Sequence, residues 1–423
     1  MGFRDLLDGV IEVNESVSVF QEMFEYSESK NHEAIIFNNI TECPNHRASL
    51  NILTRERICE TLGISPGELI DILSWAMKNP SEPKLIEKEL SPAMENTQRE
   101  LDLNKIPIPW HYKEDGGRYQ SASIIVAEYD NQRNISFHRQ LLRDNTSTVS
   151  RFVPRHLRSM TDKAWQDKEE IPIAVVNGAD PLVLLSGAMS FSEPLDEMSV
   201  AASLHEKLYG RPLEVIRLDN GIIVPSESEY VMEASITMET DDEGPYVDIT
   251  GTVDDIRQEP VIRYSAVHHR NSPVFHAIIP AQKEHYTLMG MPRAPTIKTA
   301  VSEVVECTDV YLTEGGCGWL SSVVQIVPKT KEDGMKAIHA ALDGHKSMKQ
   351  VIVVDKDIDV SNSSRVEWAL MTRWQPDKDT IILSNQKGSS LDPSRSVSGE
   401  TSKIGMDATI DPSMDRSPYE SVL

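Results

Sequence analysis

Residues 230–253 read YVMEASITMETDDEGPYVDITGTV. Two runs rich in Val, Ile, Tyr and Thr, 230–239 and 246–253, flank an acidic stretch broken by Gly244-Pro245. β-Branched and aromatic residues suit a pleated, half-buried surface, and Gly-Pro is strong turn chemistry, so the pattern predicts two strands and a turn. Similar runs precede it: SASIIVAEY (121–129), RNISFHRQLL (133–142), IPIAVVNG (171–178), PLEVIRL (212–218) and GIIVPS (221–226), spaced by Gly, Asn, Pro and Asp. Together they predict a mostly antiparallel sheet or split β-barrel over 105–260, interrupted by helices near 154–166 and 194–209.

Outward from this centre the pattern changes. Over 1–104 the chain reads as a helix-rich α/β region. SVFQEMFEYSES is helix-like, and EAIIFNNI (33–40) suits a short buried strand. TRERICETLG and SPGELIDILSWAMKNP read as two helices, with Ser65 capping the second and Pro66 at its first position. The polar stretch 80–104 reads as a linker. Over 261–423 strand-like and helix-like segments alternate again. VIVV (351–354) is continuously apolar, as in a strand buried on both faces. The tail from 386, rich in Ser, Gly, Asp and Pro, reads as loop, or as a segment ordered by a ligand or a neighbouring subunit. The fold class is therefore α/β in the α+β, multi-domain sense, in three parts.

The 423 residues carry a net charge of −24. That argues against nucleic-acid or anionic-membrane partners, since phosphate contacts need clustered Lys and Arg. No stretch approaches the roughly 20 apolar residues of a membrane span. The opening MGFRDLLDGVIEV is too acidic for a signal peptide, and the four cysteines form no CxxC pair, so a cytoplasmic protein with reduced thiols is expected.

Two stretches are chemically suggestive. In DDEGPYVDITG (241–251) four carboxylates fall close together: Asp241, Asp242, Glu243 and Asp248. Taken alone, a solvated acidic turn is the plainer reading. Between 133 and 158 stand six arginines and two histidines with one acid, Asp144. This is either an anion site, arginine being suited to planar recognition of phosphate and carboxylate, or a basic face paired with surrounding acids. Asn134, His156 and Glu197 offer oxygen and nitrogen donors that suit Mn²⁺ or Mg²⁺ better than zinc, but their separations form no spacing motif, and taken alone each reads as an ordinary polar residue.

NISFHR (134–139), PRHLR (154–158), DEMSVAASL (196–204), VPSESEYVMEA (224–234), EGPYVDITG (243–251), HHRNSPV (268–274), VVDKDIDV (353–360) and SKIGMDAT (402–409) resemble, in order, the motifs of the UbiD family. These are reversible decarboxylases that use prenylated flavin mononucleotide. The resemblance runs from about residue 35 to about 410 and implies a central barrel of the flavin-reductase kind. It implies that Asn134, His156 and Glu197 hold a divalent ion, Mn²⁺ or Mg²⁺, with K⁺ as a further candidate. Lys403 then corresponds to the lysine reaching the flavin phosphate, and Arg155 to a residue lying along the cofactor. Arg139, Glu243 and Asp248 correspond to the catalytic network. Val247 departs from the glycine many members carry there, and the segment from Glu197 to Arg211 departs from the usual pattern.

The resemblance also gives DDEGPYVDITG a purpose. Loss of carbon dioxide from an unsaturated acid leaves an electron pair on carbon that must be held and protonated. The turn brings Glu243 and Asp248 together, Asp248 becomes the proton donor with Arg139 and Glu243 setting its charge state, and Asp241 and Asp242 remain solvated. The shortness of the chain and the tail 385–405, with Lys387, Arg395 and Lys403 among small hydroxyl residues, resemble archaeal members of isoprenoid synthesis. The substrate implied is trans-anhydromevalonate 5-phosphate, giving isopentenyl phosphate. An aromatic-acid decarboxylase of the quinone-precursor type and a non-catalytic flavin-binding protein stay open as alternatives. A flavin prenyltransferase as cofactor supplier and a homo-oligomer are the expected partners.

Overall fold

In a computed structural model, residues 2–189 and 195–419 are described; the expected helix near 194–209 touches the segment outside them and runs Glu197–Tyr209. The chain forms two units: residues 1–63 with 76–285, and residues 64–75 with 286–423.

The first unit is organised by Tyr230–Glu243, a single strand of 14 residues that extends through the acidic stretch to the Gly-Pro turn. It pairs antiparallel with Arg257–His269, from Tyr230 opposite His269 to Glu243 opposite Arg257. Around this pair lies an antiparallel sheet of nine strands. Its path runs Tyr119–Gln120, Gln140–Leu142, Ser147–Ser150, Arg257–His269, Tyr230–Glu243, Ile171–Asn177, Ile124–Tyr129, Gln132–Phe137, with Asn96–Gln98 on the far end of Arg257–His269. The described strands form an open path, with no pairing between the two outer strands.

Three expectations are corrected. The run 246–253 is not a strand of this sheet. Its ends, Tyr246–Val247 and Val253–Asp254, pair with each other in a separate two-stranded hairpin. Asp241 and Asp242 belong to the long strand rather than to a turn, and pair with Arg143 and Gln258. The stretch 80–104 is no bare linker. Lys84–Leu85 pairs with Glu214–Arg217, and Asn96–Gln98 joins the large sheet. Polar composition hid both strands because each is an edge strand whose partner lies far along the chain.

A four-stranded sheet, Ile11–Val13, Ile35–Phe37, Arg47–Leu50 and Val274–His276, completes the unit. One apolar cluster draws on both sheets, from Val13, Ile35, Phe37 and Phe275 to Ile125, Ile173, Tyr230 and Ile262. Each such side chain contributes about 1.5–3 kcal/mol by leaving water.

In the second unit, Ser65 caps the helix Pro66–Lys78 as its sequence predicts: its hydroxyl accepts from Glu68 N at 3.3 Å, and its own N–H donates to the Glu68 carboxylate at 2.8 Å. A five-stranded sheet follows in the order Glu306–Leu312, Ser321–Val327, Gln350–Asp355, Glu400–Ala408, Thr380–Lys387. The helix Asp333–Gly344 connects the parallel neighbours Ser321–Val327 and Gln350–Asp355. The tail from 386 is corrected too. Glu400–Ala408 is an inner strand, parallel to Gln350–Asp355, and the intervening loop is tied by Asp392, which accepts from Lys349 at 3.0 Å, Ser394 N at 2.9 Å and Thr401 at 3.1 Å. No described helix is long and apolar enough to cross a membrane.

Candidate active site

Arg139 occupies the two-residue corner between Gln132–Phe137 and Gln140–Leu142. Its carbonyl accepts from Arg151 N and from the Ser150 hydroxyl, both at 3.2 Å, which fixes the corner against the next strand. The guanidinium then reaches carboxylates on three segments. It grips Glu243 with two hydrogen bonds, Nε to Oε1 and Nη2 to Oε2, each 2.9 Å. Nη1 donates to Asp248 Oδ2 at 2.8 Å, and Nη2 to Asp254 Oδ2 at 2.8 Å. The Tyr246 ring lies against the guanidinium at 4.5 Å. The fork-on-fork contact with Glu243 is the strong, orientation-fixing form of the ion pair.

Glu243 ends the long strand and is fully buried. Tyr119 Oη also donates to its Oε1 at 3.1 Å. The chain then turns through Gly244, whose φ of 109° lies where side chains are disfavoured, and a cis peptide to Pro245. Gly116 packs against this turn so closely that a Cβ there would meet the Gly244 carbonyl oxygen at 2.5 Å. Asp248 sits in the tight loop of the hairpin, where its carbonyl accepts from Gly251 N at 2.8 Å. Its second oxygen accepts from Ile249 N at 2.6 Å, so Oδ2 is the one presented to Arg139. The preceding Val247 is buried and extended, with its N–H donated to Asp115 at 2.8 Å. Burial outweighs that bond and pushes the Asp115 carboxyl up to about 6.

The structure also brings together Asn134 and Glu197. Glu197 opens the helix Glu197–Tyr209 and is buried. Asn134 Nδ2 donates to its Oε1 at 3.1 Å and Ile135 N to its Oε2 at 3.0 Å. Among the described residues no basic side chain pairs with this carboxylate, and burial pushes it up to about 7. Asn134 Oδ1 accepts from Ser136 at 2.8 Å, while the same hydroxyl lies 2.9 Å from His138 Nε2. The His138 Nδ1 faces the Arg151 carbonyl at 3.0 Å and must donate to it, so one hydroxyl hydrogen serves two acceptors. A cation on Asn134 Oδ1 would free that hydrogen for His138 and offset the buried Glu197 charge. This donor set fits a hard divalent ion.

The remaining candidates are placed differently. His156 begins the helix His156–Gln166, exposed, with no side-chain hydrogen bond among the described residues. Arg155 precedes it. Of the six arginines between 133 and 158, five pair with acids from other segments or the same helix, and Arg155 alone has no acidic partner among the described residues. Lys403 belongs to the second unit, on Glu400–Ala408, where its ammonium donates to the Lys346 carbonyl at 2.5 Å.

Sequence reasoning did not single out Asp254, Arg257, Tyr119, Asp115 or His285. His285 Nδ1 accepts from Ala281 N at 3.3 Å, and its neighbour Glu284 is pinned by Asn51 N, Leu53 N and His276. Burial lowers the His285 pKa, against the opposing pull of Asp248 and Glu284. The Asp254–Arg257 spacing was the sole local clue, and it does not stand out in a chain with 66 acids.

Family models match twice: residues 84–283 match the 3-octaprenyl-4-hydroxybenzoate carboxy-lyase (UbiD) Rift-related domain, and residues 286–408 its C-terminal domain. The anhydromevalonate phosphate decarboxylase of Methanosarcina mazei is 39% identical over 418 residues, covering 97% of this chain and 96% of that protein. The UbiD-class enzyme HmfF from Pelotomaculum thermopropionicum, solved with FMN, superposes with a TM-score of 0.94 at 29% identity over 100% of this chain and 97% of that one. An evolved dimeric form of HmfF, solved with prenylated FMN, gives a TM-score of 0.89 at 28% identity over 98% and 96%.

Proposed function

The chain belongs to the UbiD family of carboxy-lyases, and from that premise we propose that it decarboxylates trans-anhydromevalonate 5-phosphate to isopentenyl phosphate. It is a decarboxylase of that family. The observation that carries the chemistry is Arg139 held between Glu243 and Asp248. The choice of substrate is supported by the Methanosarcina relative, which is similar over almost the whole of both chains.

Prenylated FMN, when bound, supplies the electron sink for the carbon that loses carbon dioxide. The chain's own residues orient and protonate. Arg139, locked by the two bonds to Glu243, points its Nη1–H at Asp248. In its acid form Asp248 delivers its carboxyl proton to the product carbon and becomes a carboxylate, which Arg139 then holds. Solvent returns the proton. Tyr119 and Arg139 together keep the Glu243 carboxylate oriented.

Asn134, Glu197 and His156 would hold Mn²⁺ or Mg²⁺, whose charge would offset Glu197 and favour the flavin phosphate, with K⁺ a further candidate. Arg155 lies along the cofactor, and Lys403 adds charge for the phosphate. The nine-stranded sheet serves as the split barrel of the flavin-reductase kind. Residues 1–104 form an N-terminal α/β region, 105–260 carry the cofactor and 261–423 support homo-oligomerisation. A flavin prenyltransferase supplies the cofactor, and the enzyme works in the cytoplasm.

The test is carbon dioxide release by protein co-produced with a flavin prenyltransferase, offered trans-anhydromevalonate 5-phosphate and, separately, hydroxybenzoates. Release from the phosphorylated acid alone is expected. Release from hydroxybenzoates alone would overturn the substrate, and flavin binding with no release from any acid would overturn the chemistry.

A further inference from the structure

The acid chemistry above uses Arg139, Glu243 and Asp248, but two more charged side chains belong to the same cluster. Asp254, on the returning strand of the small hairpin, accepts from Arg139 Nη2 at 2.8 Å and from Arg257 Nη1 at 2.7 Å through the same oxygen, Oδ2. Its other oxygen accepts from Asp255 N at 3.0 Å. Arg257 stands directly opposite Glu243 in the long antiparallel pair. The cluster thus holds two guanidinium groups and three carboxylates, one negative charge in excess.

The other groups facing it are common to every variant compared below. Tyr119 and Tyr246 are buried and held well above the ordinary phenol range. Asp115 is engaged by Val247 N and Tyr112 N, and with its carboxyl at about 6 it adds a negative charge only above that pH. His285 feels Asp248 and Arg139, and burial lowers its pKa. Asp255 is exposed, and its negative charge is felt by Arg257. Burial pushes Asp254 up, but the bonds from Arg257 and Arg139 outweigh it and bring its carboxyl to about 2. It therefore stays ionised.

We propose that Asp254 is a positioning residue for the decarboxylation, the permanent counter-ion of Arg139 that lets Asp248 take up the proton it delivers. This rests on Asp248 being the proton donor. With Asp254 present, protonating Asp248 brings the cluster to neutrality. Without it, the cluster is already balanced with Asp248 ionised, and protonating Asp248 would leave excess positive charge in a partly buried site. The proton travels from the Asp248 carboxyl to the carbon that held the carboxylate, whose bonding pair becomes the new C–H bond. Asp254 neither gives nor takes it.

The measurement is the pH profile of kcat/KM at full flavin loading, checked by absorbance, for the unaltered enzyme, Asp254→Asn, Asp254→Glu and Arg257→Gln, with Asp248→Asn as control. Activity needs the acid form of the donor, so it falls as pH rises through the donor's pKa. Asp254→Asn lowers that pKa and moves the falling limb to lower pH by about one unit or more, a loss of about tenfold or more on the alkaline side. Asp254→Glu restores it. Arg257→Gln leaves the cluster more negative and moves the limb the opposite way, so the inference stays testable if Asp254→Asn fails to load flavin. A limb that stays in place in both Asp254→Asn and Arg257→Gln, with activity lowered equally at every pH, overturns the inference and leaves Asp254 as scaffold. Near-normal activity of Asp248→Asn instead overturns the assignment of the donor.

Discussion

Arg139 and Glu243, 104 residues apart in the chain, meet through two hydrogen bonds of 2.9 Å, with the Glu243 carboxylate completely buried. Such a pair is weak evidence for stability but costly to break from one side, because the surviving charge stays buried. Glu243→Ala is expected to lower unfolding free energy by about 3–5 kcal/mol, whereas Glu243→Gln keeps the shape and most of the stability. Both lose turnover by a factor on the order of 10² or more. Denaturant unfolding beside carbon dioxide release separates the two effects.

Asp248→Asn retains size and the contact to Ile249 N but removes the transferable proton. Flavin occupancy is expected to be unchanged, since among the described residues the Asp248 side chain bonds Arg139 and Ile249 N and not Asn134 or Glu197. Turnover and entry of solvent deuterium into the product fall together, by a factor on the order of 10² or more. Combined with Glu243→Gln the loss is expected to be much smaller than the product of the single losses, as for groups acting as one unit. Full labelling by Asp248→Asn at full flavin loading would return DDEGPYVDITG to a structural role.

Asn134→Ala and Glu197→Ala are expected to emerge with little bound flavin even when the prenyltransferase is present. The readouts are flavin absorbance and bound metal content, neither of which depends on turnover. A Glu197→Ala protein with full complements of flavin and metal would remove Glu197 from the proposed ligand set.

Asp115 titrates against the fold. Its carboxyl rises with burial to about 6 from an ordinary 3.8, so the folded protein binds this proton more tightly than the unfolded chain. The sign follows: stability from this group is highest below about pH 4 and declines as pH rises to about 6, by up to about 3 kcal/mol. Asp115→Asn keeps an oxygen for Val247 N and cannot ionise. It is expected to flatten the unfolding free energy between those limits, measured by denaturant titration at fixed pH values. An unchanged slope would mean the carboxyl is solvated.

Arg373, with its side chain fully buried, donates to Asp355 at 3.1 Å and to Asp357 at 2.6 Å in the second unit. Arg373→Ala leaves Asp355 buried, with Arg416 as its only remaining cation among the described residues. A loss of about 2–4 kcal/mol is expected. Arg373→Met, which fills the space without the charge, is expected to recover little, because Asp355 still lacks its partner. Thermal unfolding of the two variants checks this.

What the sequence by itself determined is local. Apolar periodicity marked the strands Ile124–Tyr129, Ile171–Asn177 and Gln350–Asp355, whose side chains are buried where the pattern requires. Ser65-Pro66 marked a helix start because a cap needs only its own next turn. Glu243 and Asp248 came together because a Gly-Pro turn needs only its own few residues, and the order of motifs carried the family. Tertiary structure decided the rest. Lys84–Leu85, Asn96–Gln98 and Glu400–Ala408 are polar segments made into strands by partners far along the chain, since a ladder is paid for by backbone groups that composition does not reveal. Asp254 joined Arg139 across 115 residues because the small hairpin folds back over the corner that carries it. Charge at a buried point depends on every group the fold collects there, and in a chain this acidic no spacing marks which carboxylates those are.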